Sequence, residues 1–203
     1  LASILWDSPW YGHVASITGM ICVVLAAKGR ISTYYFGVAN CIFYAYVAYG
    51  WQLYGEVMLN ILYFLPMQFV GLYFWSRKEN TKETGGIKVN FMGWFSRIRL
   101  SIGCVIVVAF YAMFLDKIEG RIPLIDSTST VLSVVAMVLM AKLYMEQWVL
   151  WIIVDVVSIA MWCIVVFRDG SNDIGLLIMW IAFLVNALYG FYNWIKMYKE
   201  QEV

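Results

Sequence analysis

Long apolar stretches separated by short polar ones set the pattern of this chain. They run over 14–27, 31–50, 57–75, 100–115, 127–143, 148–167 and 174–197. Most are near the roughly 20 residues that cross about 30 Å of hydrocarbon, once interfacial flanks are counted. Apolar runs of this length span a bilayer only as helices, because lipid offers backbone groups no partner. Seven transmembrane α-helices are therefore predicted. Residues 1–13 form a polar-aromatic lead, and Trp6, Trp10 and Tyr11 suit the interfacial belt. The lead has no basic n-region, so no cleavable signal peptide is expected.

The connections are mostly short. Lys28-Gly29-Arg30 is a tight basic turn. Pro66 should kink the third span by removing a backbone donor. Residues 76–99 are the one long polar connection, with Thr84-Gly85-Gly86 at its centre. Its end, VNFMGWFSRIR over 89–99, has an amphipathic pattern that predicts a surface-lying segment. A mixed-charge loop covers 116–126, and 168–173 is a plain turn.

Composition agrees with the pattern. The chain is 63% hydrophobic and 13% charged, against about 45–50% apolar and roughly 25% charged in soluble domains. This is the composition of an all-α integral membrane protein. Cys22, Cys41, Cys104 and Cys163 all fall in apolar spans and read as small buried hydrophobes. A net charge of +1 without a basic patch gives no reason to expect nucleic acid.

Lysine and arginine placement predicts orientation. With the N-terminus outside, the inner side collects Lys28, Arg30, Arg77, Lys78, Lys82, Lys88, Arg97, Arg99, Lys142, Lys196 and Lys199. The outer side holds Lys117, Arg121 and Arg168, eleven against three. An even number of spans would destroy this alternation. The C-terminus is then cytoplasmic.

The chain also repeats itself. Leu25-Ala26-Ala27-Lys28 matches Leu139-Met140-Ala141-Lys142. Asn40 lies twelve residues after Lys28, and Asp155 lies thirteen after Lys142. Gly71, Tyr73 and Trp75 match Gly190, Tyr192 and Trp194, so the offset drifts from 114 to 119. Apolar helices resemble one another by composition, but three matches in order favour duplication. The boundaries are 1–78 for a first three-helix repeat, 79–126 for a loop and linking helix, and 127–203 for a second repeat. Two odd blocks joined by one linking helix run the same way through the membrane. Parallel repeats of this kind are a transporter architecture with a site near midplane.

Few residues in the spans can carry chemistry. Asp155 is the one ionisable residue squarely inside a span, on a stripe with Trp148, Trp151, Ser158 and Trp162. An intramembrane acid faces a cavity or a partner. Three indoles around it offer stacking faces and a cation-friendly pocket; the bland alternative is a packed tryptophan stripe. Asn60, Phe64, Met67, Gly71 and Trp75 share a face of the third span, with Gln68 at its margin. Asn186, Tyr189 and Asn193 share a face of the seventh. These amides either line a cavity or tie helices together. Trp180 is a cavity aromatic or an interfacial anchor, and Gly71 and Gly190 allow close helix approach. His13 has no partner for metal or catalytic work. There is no phosphate-binding G-x-x-x-x-G-K-[ST], no H-E-x-x-H and no serine–histidine pair. No enzyme activity, cofactor or metal is expected. A neutral, aromatic interior with one acid suits an uncharged or singly charged, ring-bearing, hydroxyl-rich solute.

Several stretches make the chain recognisable. ISTYYFGVAN (31–40), QLYGE (52–56), VLSVVAMVLMAKLYMEQWVLWIIVDVVS (131–158) and NALYGFYNW (186–194) together resemble the PnuC family of bacterial nicotinamide riboside transporters. The resemblance covers nearly the whole chain. It implies a 3+1+3 fold like a full-length SWEET transporter, a homotrimer in the bacterial inner membrane, and facilitated diffusion of nicotinamide riboside. A separate kinase would then trap the solute by phosphorylation. The family site maps onto Asn60, Gln68, Trp151, Trp180, Asn186, Tyr189 and Asn193; at the position of Asp155 the family more often has an amide. The competing readings are a SWEET-like sugar carrier, a carrier of another vitamin such as thiamine, a vitamin-binding subunit that needs an energising partner, and an intramembrane enzyme. The last lacks an acid–base pair, and the binding subunit lacks a conspicuous small-residue docking helix.

The charge asymmetry is tested by cysteine labelling in intact cells. A cysteine at position 170 should react with an impermeant reagent and one at position 85 should not. Reaction at 85 and protection at 170 would invert the topology.

Overall fold

The structure, a computed structural model, describes residues 10–50, 57, 59–77, 87–117, 123–163 and 174–201. Their helices follow the predicted order. They are α1 (Trp10–Ala27), α2 (Thr33–Gly50), a π-helical segment (Leu59–Phe64) leading into α3 (Leu65–Ser76), α4 (Trp94–Lys117), α5 (Pro123–Ala141), α6 (Gln147–Cys163) and α7 (Ile174–Lys199). By length and hydropathy α1, α4 and α5 can each cross a bilayer. The helix α2 is as long, but Tyr34, Tyr35, Tyr44, Tyr46, Tyr49 and Asn40 dilute its apolar character.

Three boundaries differ from expectation. The helix α1 begins at Trp10, so the aromatic end of the lead is already helical. The expected surface segment is split: Phe91–Gly93 lie outside any helix, whereas Trp94 opens α4. Trp94 and Phe95 are exposed at that opening, as interfacial anchors are. At Pro66 the backbone changes register instead of only bending. The segment before it is π-helical, and Pro66 falls within the first two positions of α3. A π turn takes one more residue than an α turn. That extra residue moves Gln68 from the margin onto the buried face with Asn60, Gly71 and Trp75.

The chain divides into two compact units, residues 1–89, 141–143 and 192–203 in one, and 90–140 and 144–191 in the other. In the first, α1 ends in a Schellman motif. Gly29 has φ +63°, and Arg30 N donates to Leu25 O at 2.9 Å while Gly29 N donates to Ala26 O at 3.0 Å. The turn rests on Ile87 and Met197, and Val89 N donates to Gln201 Oε1 at 2.9 Å. The end of α1, the start of the 87–93 segment and the end of α7 thus meet at one end of this unit.

The same turn is written again after α5. Leu143 has φ +63°, and Tyr144 N donates to Leu139 O at 2.9 Å. Leucine in the left-handed region is strained. Its side chain is fully buried, and that burial offsets the strain. In the second unit, Met145 N donates to Asn90 O at 2.9 Å. Arg97 Nε lies 2.7 Å from Glu146 Oε1, and Met92 N donates to that same oxygen at 3.0 Å. One carboxylate therefore anchors both the polypeptide entering α4 and the side chain of its second turn.

A second echo lies deeper. Tyr34, at the start of α2, lays its ring against Gly71 of α3; Trp148, at the start of α6, lays its ring against Gly190 of α7. Neither glycine has room for a Cβ. One turn beyond each glycine stands a fully buried tryptophan, Trp75 and Trp194. In the first unit Trp75 meets Tyr34 edge-on at 5.0 Å and Trp194 at 5.7 Å.

Gly71→Ala and Gly190→Ala should each cost about 1–3 kcal/mol by overpacking. Gly103, which faces open space on α4, should tolerate alanine without loss. Thermal unfolding in detergent checks this; equal melting of all three variants would remove the ring-on-glycine contact as a determinant of the fold.

Candidate functional site

The first unit holds three of the candidate residues. Asn60 sits in the π-helical segment and is buried. Gln68 is buried on α3 (7% exposed), with its amide against Gly37 of α2 and Nε2 3.9 Å from Cys41 Sγ. Asn193 is half-buried and donates from Nδ2 to Ala27 O at 2.9 Å. Beside it, Trp194 Nε1 donates to Ala26 O at 3.0 Å. These two bonds satisfy carbonyls at the end of α1, which a helix terminus leaves without internal partners. Asn193 is thereby engaged in tying α7 to α1.

The second unit holds the other five. Trp151 and Trp180 pack, with Leu100, Val135 and Leu150, against a cluster of Cys104, Leu132 and Val154. Trp180 also meets Phe183 edge-to-face at 5.7 Å. Two aromatic residues chosen separately from α6 and α7 thus share one apolar cluster. Asp155, one turn beyond Trp151, is 4% exposed. Asn186 is half-buried, and Tyr189 is 45% exposed.

The expected common face of Asn186, Tyr189 and Asn193 is therefore turned. The buried side of α7 is Ala187, Gly190 and Trp194; the two asparagines stand at its margin and Tyr189 falls outside it. The cause is the ring-on-glycine contact, which fixes the rotation of α7 through Gly190. A concavity near the end of α7 is lined by Tyr192, Ile195, Lys196, Lys199 and Glu200, and contains none of the candidates. Among the described residues no group of three His, Cys, Asp or Glu gathers where a metal could sit.

Sequence reasoning passed over Gln147, which is fully buried at the start of α6. Its side chain points inward on the face of Trp151, Asp155 and Ser158, spaced at four, four and three residues. That spacing was the available signal. The Arg97–Glu146 pair had none, because 49 residues separate its partners.

The family model for nicotinamide mononucleotide transporters matches residues 9–196. The chain belongs to this family. The nicotinamide riboside transporter PnuC of Neisseria mucosa is 38% identical over 194 residues, covering 94% of this chain and 74% of the relative. Its counterpart in Haemophilus influenzae is 31% identical over 94% of this chain and 81% of its own length. That of Escherichia coli is 28% identical over 97% of this chain and 89% of its own. A crystal structure of the vitamin B3 transporter PnuC superposes with a TM-score of 0.78 at 36% identity, over 97% of this chain and 85% of that one. This family member is thus a multi-pass membrane transport protein, built from apolar helices.

Asn193→Ala removes the tie to Ala27. It should lower stability by about 0.6 kcal/mol, the average for interhelical hydrogen bonds in membrane bundles, and by no more than about 2 kcal/mol. Melting of the detergent-solubilised protein measures it; an unchanged melting point would release Asn193 from this role.

Proposed function

We propose that this protein takes up nicotinamide riboside by facilitated diffusion across the bacterial inner membrane, with phosphorylation inside the cell trapping the solute. The observation that carries this reading is the nearly end-to-end similarity to transporters named for that riboside. The family description names the mononucleotide instead. Charge favours the riboside. A phosphate in low dielectric needs cations or many donors. Among the described residues, Arg97 and Arg99 sit in the first two turns of α4, and Lys117, Lys196 and Lys199 in last turns. Asp155 within α6 would repel an anion. The similarity to riboside transporters favours the riboside over a sugar or thiamine.

In this reading Asn186 of the second unit is donor and acceptor for the carboxamide and ribose hydroxyls. Trp151 and Trp180 supply faces for the flat cationic ring, worth roughly 0.5–2 kcal/mol. Asp155 completes the set in this unit; Asn193 is taken up by Ala27 O, and Tyr189 lies outside the buried face. The architecture of the reading is 3+1+3, two three-helix repeats joined by α4. The twin left-handed turns at Gly29 and Leu143 and the twin ring-on-glycine contacts support it. The N-terminus is outside and the C-terminus cytoplasmic. In the first unit Lys28, Arg30, Lys88 and Lys199 belong to the segments that meet at one end, which supports a positive inner face. A homotrimer is part of the reading. Lipid and neighbouring copies would cover the apolar outer side of α4, where Val105 and Phe110 are exposed.

Proteoliposomes holding only this protein should equilibrate labelled riboside and exchange it in counterflow. Accumulation driven by a proton or sodium gradient would contradict uniport, and no uptake would contradict the function. Asn186→Ala should weaken riboside binding roughly five- to hundredfold, about 1–3 kcal/mol. A variant that melts lower yet binds as tightly as the parent would make this amide a helix tie.

A further inference from the structure

Thr33 and Asn40 on α2 are treated differently from their counterparts on α6, although the buried Tyr34 hydroxyl of α2 also has no hydrogen-bond partner among the described residues. On α2, Thr33 Oγ1 donates to Cys22 O at 2.8 Å, and Asn40 Nδ2 donates to Ala15 O at 2.8 Å. Both are tied off by carbonyls of α1. Their repeat counterparts on α6 are Gln147 and Asp155. Gln147 Oε1 and Nε2, and Ser158 Oγ, are buried with no hydrogen-bond partner among the described residues. The ion pairs among those residues are Arg97–Glu146 and Lys196–Glu200, so Asp155 joins none. Gln147, Asp155 and Ser158 are each at least nine-tenths buried, and with Trp151 they occupy one face of α6.

An inward row of unsatisfied polar groups is costly in hydrocarbon unless something enters to meet it. The carboxyl is the group with the most to gain from a cation, and the Trp151 indole one turn away offers a second attraction to positive charge. On the reading that the solute is nicotinamide riboside, that cation is in the substrate. Its pyridinium nitrogen is quaternary and keeps its charge at every pH. The reduced 1,4-dihydro form has nearly the same outline and the same ribose, but its ring is neutral. We propose that Asp155 is the counter-charge of the substrate ring and makes the transporter select the oxidised, cationic riboside over the reduced, neutral one. An amide at this position would bind the ring without that preference.

The test is calorimetric titration of the full-length protein with both forms of the riboside, beside melting of each variant. The parent should bind the oxidised form about tenfold or more tighter than the reduced form. Asp155→Asn, which keeps shape and removes charge, should lose about tenfold or more for the oxidised form and stay within about threefold for the reduced one. Equal affinity of the parent for the two forms would overturn the inference without any variant, even if Asp155→Asn does not fold. So would equal losses for both forms in a folded variant, or no loss at all. A parent that binds neither form would overturn the substrate reading, and this inference with it.

Discussion

In hydrocarbon there is no water to take up an unmade hydrogen bond, and this constraint explains most of what the protein does with its few polar side chains. Asn40, Asn193, Trp194 and Thr33 each spend a donor on a carbonyl of α1. Gln68 is wedged against a glycine, where no side chain would fit between the helices. These groups hold helices in register. The Tyr34 hydroxyl on α2, and Gln147 and Ser158 on α6, are buried without a hydrogen-bond partner among the described residues.

Packing imposes the second constraint. Aromatic rings on glycines bring α2 close to α3, and α6 close to α7. Each contact fixes the rotation of a helix, so it also determines which polar residues face inward. This is why Tyr189 is turned away although its spacing from Asn186 and Asn193 is regular. The same logic accounts for Gln68, which the π-helical turn before Pro66 carries inward. Two backbone devices, a missing Cβ and an extra residue in one turn, thus determine which polar groups each unit turns inward.

The order of the helices among the described residues was legible from hydropathy alone, because span length is dictated by bilayer thickness. The echo of Gly71 and Trp75 in Gly190 and Trp194 was legible too, and the structure gives it a physical meaning as two copies of one packing contact. Helix ends were less legible: Trp10 and Trp94 are as much at home in a first helical turn as in an interfacial lead. The rotation of α7 and the π turn were not legible, since both arise from contacts between segments far apart in sequence. The left-handed Leu143 was hidden for a related reason. Its conformation usually calls for glycine, as at Gly29, and only its burial reveals why leucine serves. Family membership, by contrast, could be read from the long 131–158 block, and the matches over 9–196 agree with it.

The central claim is that an aromatic interior with one buried acid, and no buried lysine or arginine among the described residues, carries a cationic riboside and excludes its phosphorylated product. Titrating the purified protein with nicotinamide riboside and, separately, with nicotinamide mononucleotide tests that claim most directly. The two differ by one phosphate. Saturable binding of the riboside with no detectable binding of the mononucleotide is the predicted result. Equal or tighter binding of the mononucleotide would contradict it.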